Sequence, residues 1–184
     1  MDDTQLPGDL TRVLYSKEEV AERMRELAAQ IDEDYEGLDL LLVGVLNGAV
    51  MVMADLSRAL AIHCRMDWMA VSSYGSGTQS SGVVRILKDL STDITGVHVL
   101  VVEDIIDTGL TLSYLMSNLK SRGPASLKIM TAFRKPEAAR NAVDVAYVGF
   151  DIPSEFVVGY GLDYAERYRD LPFVGRLRSE VYAG

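Results

Sequence analysis

The sequence predicts an α/β fold with a central parallel sheet flanked by helices. Short runs rich in Val and Leu, typical of strands buried on both faces, alternate with longer stretches of helical periodicity. One such run, residues 97–102, is followed by carboxylates, a glycine and hydroxyls instead of an ordinary turn. Because ligands of parallel sheets gather at the carboxyl ends of the strands, we expect the functional site at that edge.

Local signals define the elements in chain order. Ser16 and Glu19 have the spacing of a capping box at the start of a helix, and Gly123 with Pro124 is typical of a helix end. Residues 72–82 are rich in Ser and Gly and predict a loop. We predict helices at residues 17–32, 49–60 and 110–122, and strands at residues 40–46, 65–71, 83–88, 97–102, 127–133 and 146–149, with a further possible strand at 156–158.

The size of the chain is that of one domain. Its 184 residues, 48% of them hydrophobic, can bury a sizeable core. We expect a single domain over residues 1–184, with a core at about 35–150 and a small hood formed by residues 1–15 and 151–184. The methionines of the second helix, Met51 and Met53, could either fill the core or form an apolar interface between subunits.

The composition argues against several classes of partner. The formal net charge is −9, whereas broad nucleic-acid binding requires a basic face. The longest uncharged apolar run, residues 40–54, is too short to span a membrane. The start of the sequence lacks the pattern of a secretory signal, and the single cysteine, Cys64, excludes an internal disulfide. We therefore expect a cytoplasmic protein that binds neither nucleic acid nor membranes.

The segment from Val97 to Thr111 carries most of the functional information. Glu103 and Asp104 are acceptors that could hold sugar hydroxyls or a hydrated metal ion. Gly109 lets the backbone approach a ligand closely, and the free amides of the helix that follows attract a phosphate. The pattern therefore predicts a site for a phosphorylated sugar. The alternative is a plain buried strand with an acidic helix cap, in which Asp107 would cap the helix that begins at Leu110.

This segment resembles the phosphoribosyl diphosphate signature of the type I phosphoribosyltransferases. Further segments occur in the same order in the hypoxanthine-guanine branch of that family, and the resemblance spans about residues 40–174. They are Leu46–Gly48, Ser72–Gly75, Arg85–Leu90, Lys135–Pro136 and Phe156–Tyr164. The resemblance implies a five-stranded parallel sheet under a small hood, and an enzyme that is usually dimeric or tetrameric.

The resemblance also implies roles for individual residues. Asp107 would be the catalytic acid or base near N7 of the purine, Lys135 would donate to O6, and Phe156 would stack on the ring. Contacts to phosphoribosyl diphosphate are implied for Leu46, Asn47, Gly48, Ser73, Tyr74, Glu103, Asp104, Ile105, Ile106, Thr108, Gly109, Leu110, Thr111 and Arg169. Contacts to the purine are implied for Lys135, Phe156, Val157 and Asp163, and proximity to Mg²⁺ for Asp163, Glu103 and Asp104.

Magnesium is also expected from the charge balance. A chain of net charge −9 that binds a diphosphate gains from a divalent cation placed between carboxylates, waters and diphosphate oxygens. Ser73 and Tyr74 lie at the start of the Ser- and Gly-rich loop, which we interpret as a flap over the diphosphate, since a ribosyl cation must be shielded from water. The loop also begins like a dinucleotide fingerprint, but it lacks the third glycine and the helix.

One position departs from the family pattern. Asn47 occupies a place where the family usually has Lys after Leu, and the peptide bond there is often cis in the family. Asn47 and Gly48 can keep the backbone contacts to the diphosphate, whereas a lysine side-chain contact is lost.

The resemblance predicts a purine salvage enzyme that joins hypoxanthine or guanine to phosphoribosyl diphosphate, giving IMP or GMP and diphosphate. A relative that prefers xanthine or accepts all three 6-oxopurines is a first alternative. A non-catalytic regulator that keeps the fold and senses nucleotides is a second, and a purely structural protein is a third. An added DNA-binding segment or a basic RNA-binding face would favour the regulator, and the sequence shows neither.

Overall fold

A computed structural model describes residues 8–73, 84–138 and 143–182. Its larger sheet has six strands in the order β4-β3-β2-β5-β6-β7. All neighbouring strands are parallel except β3 and β4, which form an antiparallel ribbon at one edge. The strands of this sheet are β2 (Leu40–Leu46), β3 (Cys64–Ser73), β4 (Val84–Lys88), β5 (His98–Ile106), β6 (Ser126–Arg134) and β7 (Tyr147–Asp151).

Helices cover both faces of this sheet. The helices α1 (Lys17–Asp34) and α2 (Val50–Ala59) pack on the face that carries Leu40, Leu42 and Leu100. The helix α3 (Leu110–Lys120) packs on the opposite face. Since successive side chains of a strand point to opposite faces, the unbroken apolar run of β2 supplies both cores. The predicted α/β class and mostly parallel central sheet are confirmed.

The capping box predicted for α1 is present. The Glu19 amide donates to the Ser16 hydroxyl, and the Ser16 amide donates to the Glu19 carboxylate. The observed bounds of the predicted helices and strands differ from prediction by up to two residues, with one exception. The predicted end of β5 at Val102 is wrong, because the strand continues to Ile106 alongside β6, where Ile106 pairs with Arg134.

A smaller antiparallel sheet forms the hood above the carboxyl ends of the parallel strands. It contains β1 (Leu10–Tyr15), β9 (Val174–Leu177) and β8 (Val157–Val158) in that order, and a short helix α4 (Ser179–Tyr182) follows. Its own small core comprises Leu10, Val158, Leu171, Phe173 and Leu177. The hood thus joins the two ends of the described chain, and β1, β9 and α4 were not predicted from the sequence.

The two methionines of α2 differ in burial. Met53 is fully buried in the core, whereas Met51 is only partly buried. Within the described residues, no helix is both long enough and apolar enough to cross a membrane.

Candidate active site

Three strand ends and the hood surround the candidate site. β2 ends at Leu46, β5 at Ile106 and β6 at Arg134, and these carboxyl ends lie at the same edge of the sheet. The amide of Lys135 donates to the Ile106 carbonyl at 2.9 Å, so the residue after β6 stays beside the end of β5. The Leu46–Asn47 peptide bond is cis, as the resemblance led us to expect.

The extra length of β5 decides where its two carboxylates point. Glu103 and Asp104 belong to the strand itself, so their side chains leave it on opposite faces. Glu103 lines a cavity of about 230 Å³ beside the start of α3. Asp104 lines a second cavity of about 190 Å³ beneath the hood. Glu103 and Asp104, which are adjacent in the sequence motif, therefore line two different cavities.

The first cavity has the character of a phosphate site. Gly109 has φ = 76° at the N-cap of α3, and the first amides of this helix have no partner within the helix. Such amides and the helix dipole favour an anion. Among the described residues no side-chain cap is present at Gly109, so the alternative in which Asp107 caps this helix gains no support and the amides are open to a ligand. The cavity is lined by Val45, Glu103, Ile105, Ile106, Asp107, Thr108, Gly109, Leu110, Thr111 and Leu112.

The second cavity combines an aromatic ring with charged groups. Phe156 and Val157 enter from the hood, and the Lys135 ammonium lies 3.7 Å from the Asp107 carboxylate. The Lys135 side chain is only 13% exposed, so its charge is directed into the cavity region instead of into bulk solvent. The lining residues are Asp104, Ile105, Asp107, Lys135, Phe156, Val157, Leu162 and Asp163.

Asp107 and Ile105 line both cavities. Asp107 therefore lies at the junction of the two compartments, with a side chain that is 54% exposed and accessible to a ligand. A reaction that joins a group bound in one cavity to a group bound in the other would take place beside this carboxylate.

Burial shapes the electrostatics of the acidic pair. It raises the pKa of Glu103 well above the ordinary value, and the charge of Asp104 adds to the rise. Burial also raises the pKa of Asp104, although the Ile105 amide and Arg169 oppose the rise. The nearby charge of Asp163 makes Asp104 harder to ionise. A ligand that brings hydroxyl donors or positive charge would therefore stabilise the ionised form of both carboxylates.

Asp163 and Arg169 form an ion pair in the hood, with a shortest N–O distance of 2.9 Å. Arg169 also donates to the Gly161 carbonyl at 2.8 Å, and Asp163 accepts from the Glu166 amide at 2.9 Å. The three carboxylates expected near Mg²⁺ do not share one cavity, since Glu103 lines the first and the other two line the second. In the described part of the chain, no three His, Cys, Asp or Glu side chains form a metal-binding group.

Most of the loop that was predicted as a flap, residues 74–82, lies outside the described residues. Ser73 is the last residue of β3, and Tyr74 lies outside the described residues. Leu46 and Asn47 form the cis peptide, and Gly48 touches the Asp104 carboxylate.

Tyr182 of α4 is a residue that the sequence reasoning missed. Its ring stacks on that of Phe156 with a centroid distance of 4.8 Å and an interplanar angle of 22°. Phe156 lines the second cavity and Tyr182 does not, so Tyr182 supports the ring without lining that cavity. Only aromatic character marks Tyr182 in the sequence, and no local pattern links it to a residue 26 positions earlier.

Comparisons with known proteins show the family to which the chain belongs. Residues 12–165 match the phosphoribosyl transferase domain family. The chain is 56% identical over 182 residues to a hypoxanthine-guanine phosphoribosyltransferase of Mycobacterium tuberculosis, covering 96% of this chain and 90% of the relative. It is 51% identical over 178 residues to one of Streptococcus agalactiae, covering 97% of this chain and 99% of the relative.

A solved structure is similar over nearly the whole chain. A hypoxanthine phosphoribosyltransferase of Staphylococcus aureus superposes with a TM-score of 0.93 at 46% sequence identity, and the match covers 96% of each chain.

Proposed function

This chain belongs to the phosphoribosyl transferase domain family, and we propose that it transfers the 5-phosphoribosyl group of phosphoribosyl diphosphate to hypoxanthine or guanine. The products are IMP or GMP and diphosphate, and the role is purine salvage. The observation that best supports this reaction is the position of Asp107 at the junction of a phosphate-type cavity and a cavity with an aromatic wall.

The first cavity suits the ribose 5-phosphate. The amides of Thr108 to Thr111 and the two threonine hydroxyls are the donors available there. Glu103 is a buried acceptor for a ribose hydroxyl on the same side, and Asp104 is one on the other side of β5. The backbone of Leu46, Asn47 and Gly48 and the side chain of Arg169 are assigned to the diphosphate.

The second cavity suits a 6-oxopurine. The face of Phe156 stacks on the ring, the backbone of Val157 contacts its edge, and the Lys135 ammonium donates to O6. Adenine presents an amino group at that position, so Lys135 would face a second donor. A buried mismatch of this kind is a strong basis for discrimination.

In the transfer, N9 of the purine forms a bond to C1′ as the bond from C1′ to the diphosphate oxygen breaks. The Asp107 carboxylate accepts the proton that leaves N7, so that the purine product is neutral. Lys135, 3.7 Å from Asp107, keeps this carboxylate close to the O6 and N7 edge of the base. No protein nucleophile is needed.

Magnesium fits the residues of the second cavity. Asp104 and Asp163 line it together and repel each other, and carboxylate oxygens are the ligands that Mg²⁺ prefers. These two residues would hold the ion directly or through water, with the remaining ligands supplied by the substrate. When bound, the ion neutralises charge on the leaving diphosphate. Glu103 faces the other cavity, and we assign it to the sugar instead.

A spectrophotometric assay with Mg²⁺ and phosphoribosyl diphosphate tests the proposal, with hypoxanthine, guanine, xanthine and adenine offered in parallel. Hypoxanthine and guanine should turn over and adenine should not. Asp107→Asn should lower kcat by about 10²- to 10⁴-fold. The control, Asp39→Asn, changes a surface carboxylate that pairs with Arg65 and should have no effect.

Two other outcomes would redirect the assignment. A preference for xanthine would identify a different 6-oxopurine as the substrate. Binding of phosphoribosyl diphosphate without turnover of any base would indicate a nucleotide sensor and contradict the proposed enzyme activity.

Four further expectations from the sequence remain predictions. They are the single domain, the cytoplasmic location, the lack of nucleic-acid and membrane partners, and assembly as a homodimer or homotetramer. Light scattering in solution would test the assembly.

A further inference from the structure

Tyr160 lies in the middle of the hood segment that forms one wall of the second cavity, but its side chain does not line that cavity. Phe156 and Val157 before it, and Leu162 and Asp163 after it, line that cavity. Tyr160 instead lines a separate cavity of about 540 Å³ between the hood, α1 and α2. It is 5% exposed, so almost its entire side chain is enclosed by these elements.

The Tyr160 hydroxyl is bound to α2. It donates to one carboxylate oxygen of Asp55 at 2.9 Å. Burial and the charge of Asp55 raise the pKa of Tyr160, so the hydroxyl keeps its proton and remains a donor. The other oxygen of Asp55 pairs with Arg58, whose side chain is 75% exposed. Asp55 lines the cavity with Tyr160 and lines neither of the two cavities assigned to substrate.

Gly161, which follows Tyr160 in the hood, contacts the Leu46–Gly48 loop. Gly161 packs so closely on the Gly48 carbonyl that a side chain at Gly161 would overlap it. Gly48 in turn packs against the Asp104 carboxylate. The hood, the Leu46–Gly48 loop and the end of β5 therefore form one column of contacts, and α2 begins at Val50, directly after that loop.

Tyr160 also has an unusual backbone. Its φ of 50° lies in the left-handed region, which costs free energy for a residue with a side chain. The surrounding contacts must compensate for this cost, and the bond to a charged acceptor on α2 is one of them. Edge-to-face packing on Phe133, with ring centroids 6.4 Å apart, is another.

We propose that Asp55 is a positioning residue, which holds the Tyr160 hydroxyl and thereby sets the distance between the purine-binding hood segment and the Leu46–Gly48 loop. Asp55 itself contacts no substrate. Its kinetic consequence rests on the transfer reaction proposed above, whereas its structural consequence does not. The hydrogen bond acts on the preformed site, so its loss should weaken ground-state binding more than the chemical step.

The kinetic test uses four single variants and one double variant of the full chain. Tyr160→Phe and Asp55→Ala should each raise KM for phosphoribosyl diphosphate by about 5- to 10-fold, with kcat within about twofold of wild type. The double variant should be no worse than Asp55→Ala alone, because both changes remove the same bond. Asp55→Asn keeps an acceptor oxygen and should restore KM to within about twofold. Arg58→Gln, the matched control, breaks the surface pair only and should behave as wild type.

Three results would overturn the inference. A lower melting temperature in Tyr160→Phe and Asp55→Ala with unchanged KM would show a merely structural role. A KM rise of the same size in Arg58→Gln would assign the effect to the ion pair. Independent, additive effects of the two changes would show that the hydroxyl and the carboxylate do not act through each other.

Amide hydrogen exchange of the ligand-free protein separates this inference from the transfer reaction. The amides of Tyr160 and Gly161 donate to the Leu171 and Arg169 carbonyls at 2.8 and 3.0 Å. Their exchange should quicken by about 10-fold in Tyr160→Phe and not in Arg58→Gln. If the wild type transfers no phosphoribosyl group, the transfer proposal fails and this measurement alone decides the positioning role. Unchanged exchange in Tyr160→Phe would contradict it.

Discussion

Gly48 and Asp104 are in direct contact, with the Gly48 Cα against the Asp104 carboxylate. Any side chain at Gly48 would occupy the position of this carboxylate. Asp104 is buried between the end of β5 and the hood, and its amide neighbours and Arg169 hold it there. The small size of Gly48 is therefore a condition for placing a carboxylate in the second cavity.

The first prediction concerns this contact. Gly48→Ala should lower kcat/KM for hypoxanthine by at least about 100-fold, because displacing a substrate-binding carboxylate by about 1 Å has effects of that size. Steady-state kinetics would measure it. Gly8→Ala is the control, since an added methyl group there meets nothing within 4 Å. Wild-type kinetics in Gly48→Ala would show that Asp104 is not a substrate ligand.

The second prediction concerns purine recognition. Lys135→Met should lower kcat/KM for hypoxanthine and guanine by about 100-fold or more, since the donor to O6 is lost. Binding of phosphoribosyl diphosphate, measured by calorimetry, should stay within about twofold of wild type. Lys128→Met is the control, because Lys128 lies on β6, the strand that precedes Lys135, and pairs with Asp34 outside both cavities. If binding of phosphoribosyl diphosphate weakened by the same factor as kcat/KM for the purines, Lys135 would be needed for the structure of the whole site and not only for contact with O6.

The third prediction concerns the support behind Phe156. Tyr182→Ala should raise KM for hypoxanthine by about 3- to 10-fold with little change in kcat, because stacked aromatic pairs contribute about 0.5–1.5 kcal/mol beyond their buried area. Tyr114→Ala, which truncates an exposed tyrosine of α3, should leave KM unchanged. The assay is steady-state kinetics at saturating phosphoribosyl diphosphate. An unaltered KM in Tyr182→Ala would show that Phe156 holds its position unaided.

The fourth prediction concerns stability and pH. Asp67 is 6% exposed and accepts hydrogen bonds from the amides of Trp68, Ser91 and Thr92 at 2.8, 2.8 and 2.9 Å. Burial alone would raise the pKa of Asp67, but these donors lower it below the ordinary value of 3.8. The ionised carboxylate thus adds stability above pH 3.8, and this contribution is lost as the pH falls through the lower pKa of the folded state.

Asp67→Asn should therefore lower the free energy of unfolding at pH 7 by about 1–3 kcal/mol, because the amide group turns one acceptor into a donor. The difference from wild type should shrink as the pH falls below 3.8. Urea unfolding at a series of pH values measures it, and Asp39→Asn, at a side chain that is 66% exposed, should change little. A difference that stays constant with pH would exclude ionisation as its source.

Much of the central sheet was predictable because its signals are local. The apolar runs of β2, β5 and β6, the capping box at Ser16 and the helix start after Gly109 each depend on neighbouring residues. The end of β5 was placed too early because Glu103 and Asp104 are rare in buried strands, and the pairing with β6 overrides this preference.

The hood was less accessible to prediction because its strands are short and pair across the length of the chain. In the pairing of β1 with β9, Leu10 lies opposite Leu177, and no local sequence pattern predicts that register. Tyr182 and Asp55 are likewise ordinary residues in the sequence. Their contacts with Phe156 and Tyr160 exist only once α4 and α2 are packed against the hood.

The sequence by itself determined the α/β class, the order of the central elements and the set of chemical groups at the strand ends, because strand burial, helix capping and turn chemistry act between near neighbours. Only the tertiary structure decided that Glu103 and Asp104 face different cavities, that Asp107 lies at the junction of those cavities, and that Gly161, Gly48 and Asp104 stack in one column. Side-chain direction follows strand length and register, and close packing follows the meeting of distant segments, so neither is carried by any single stretch of residues.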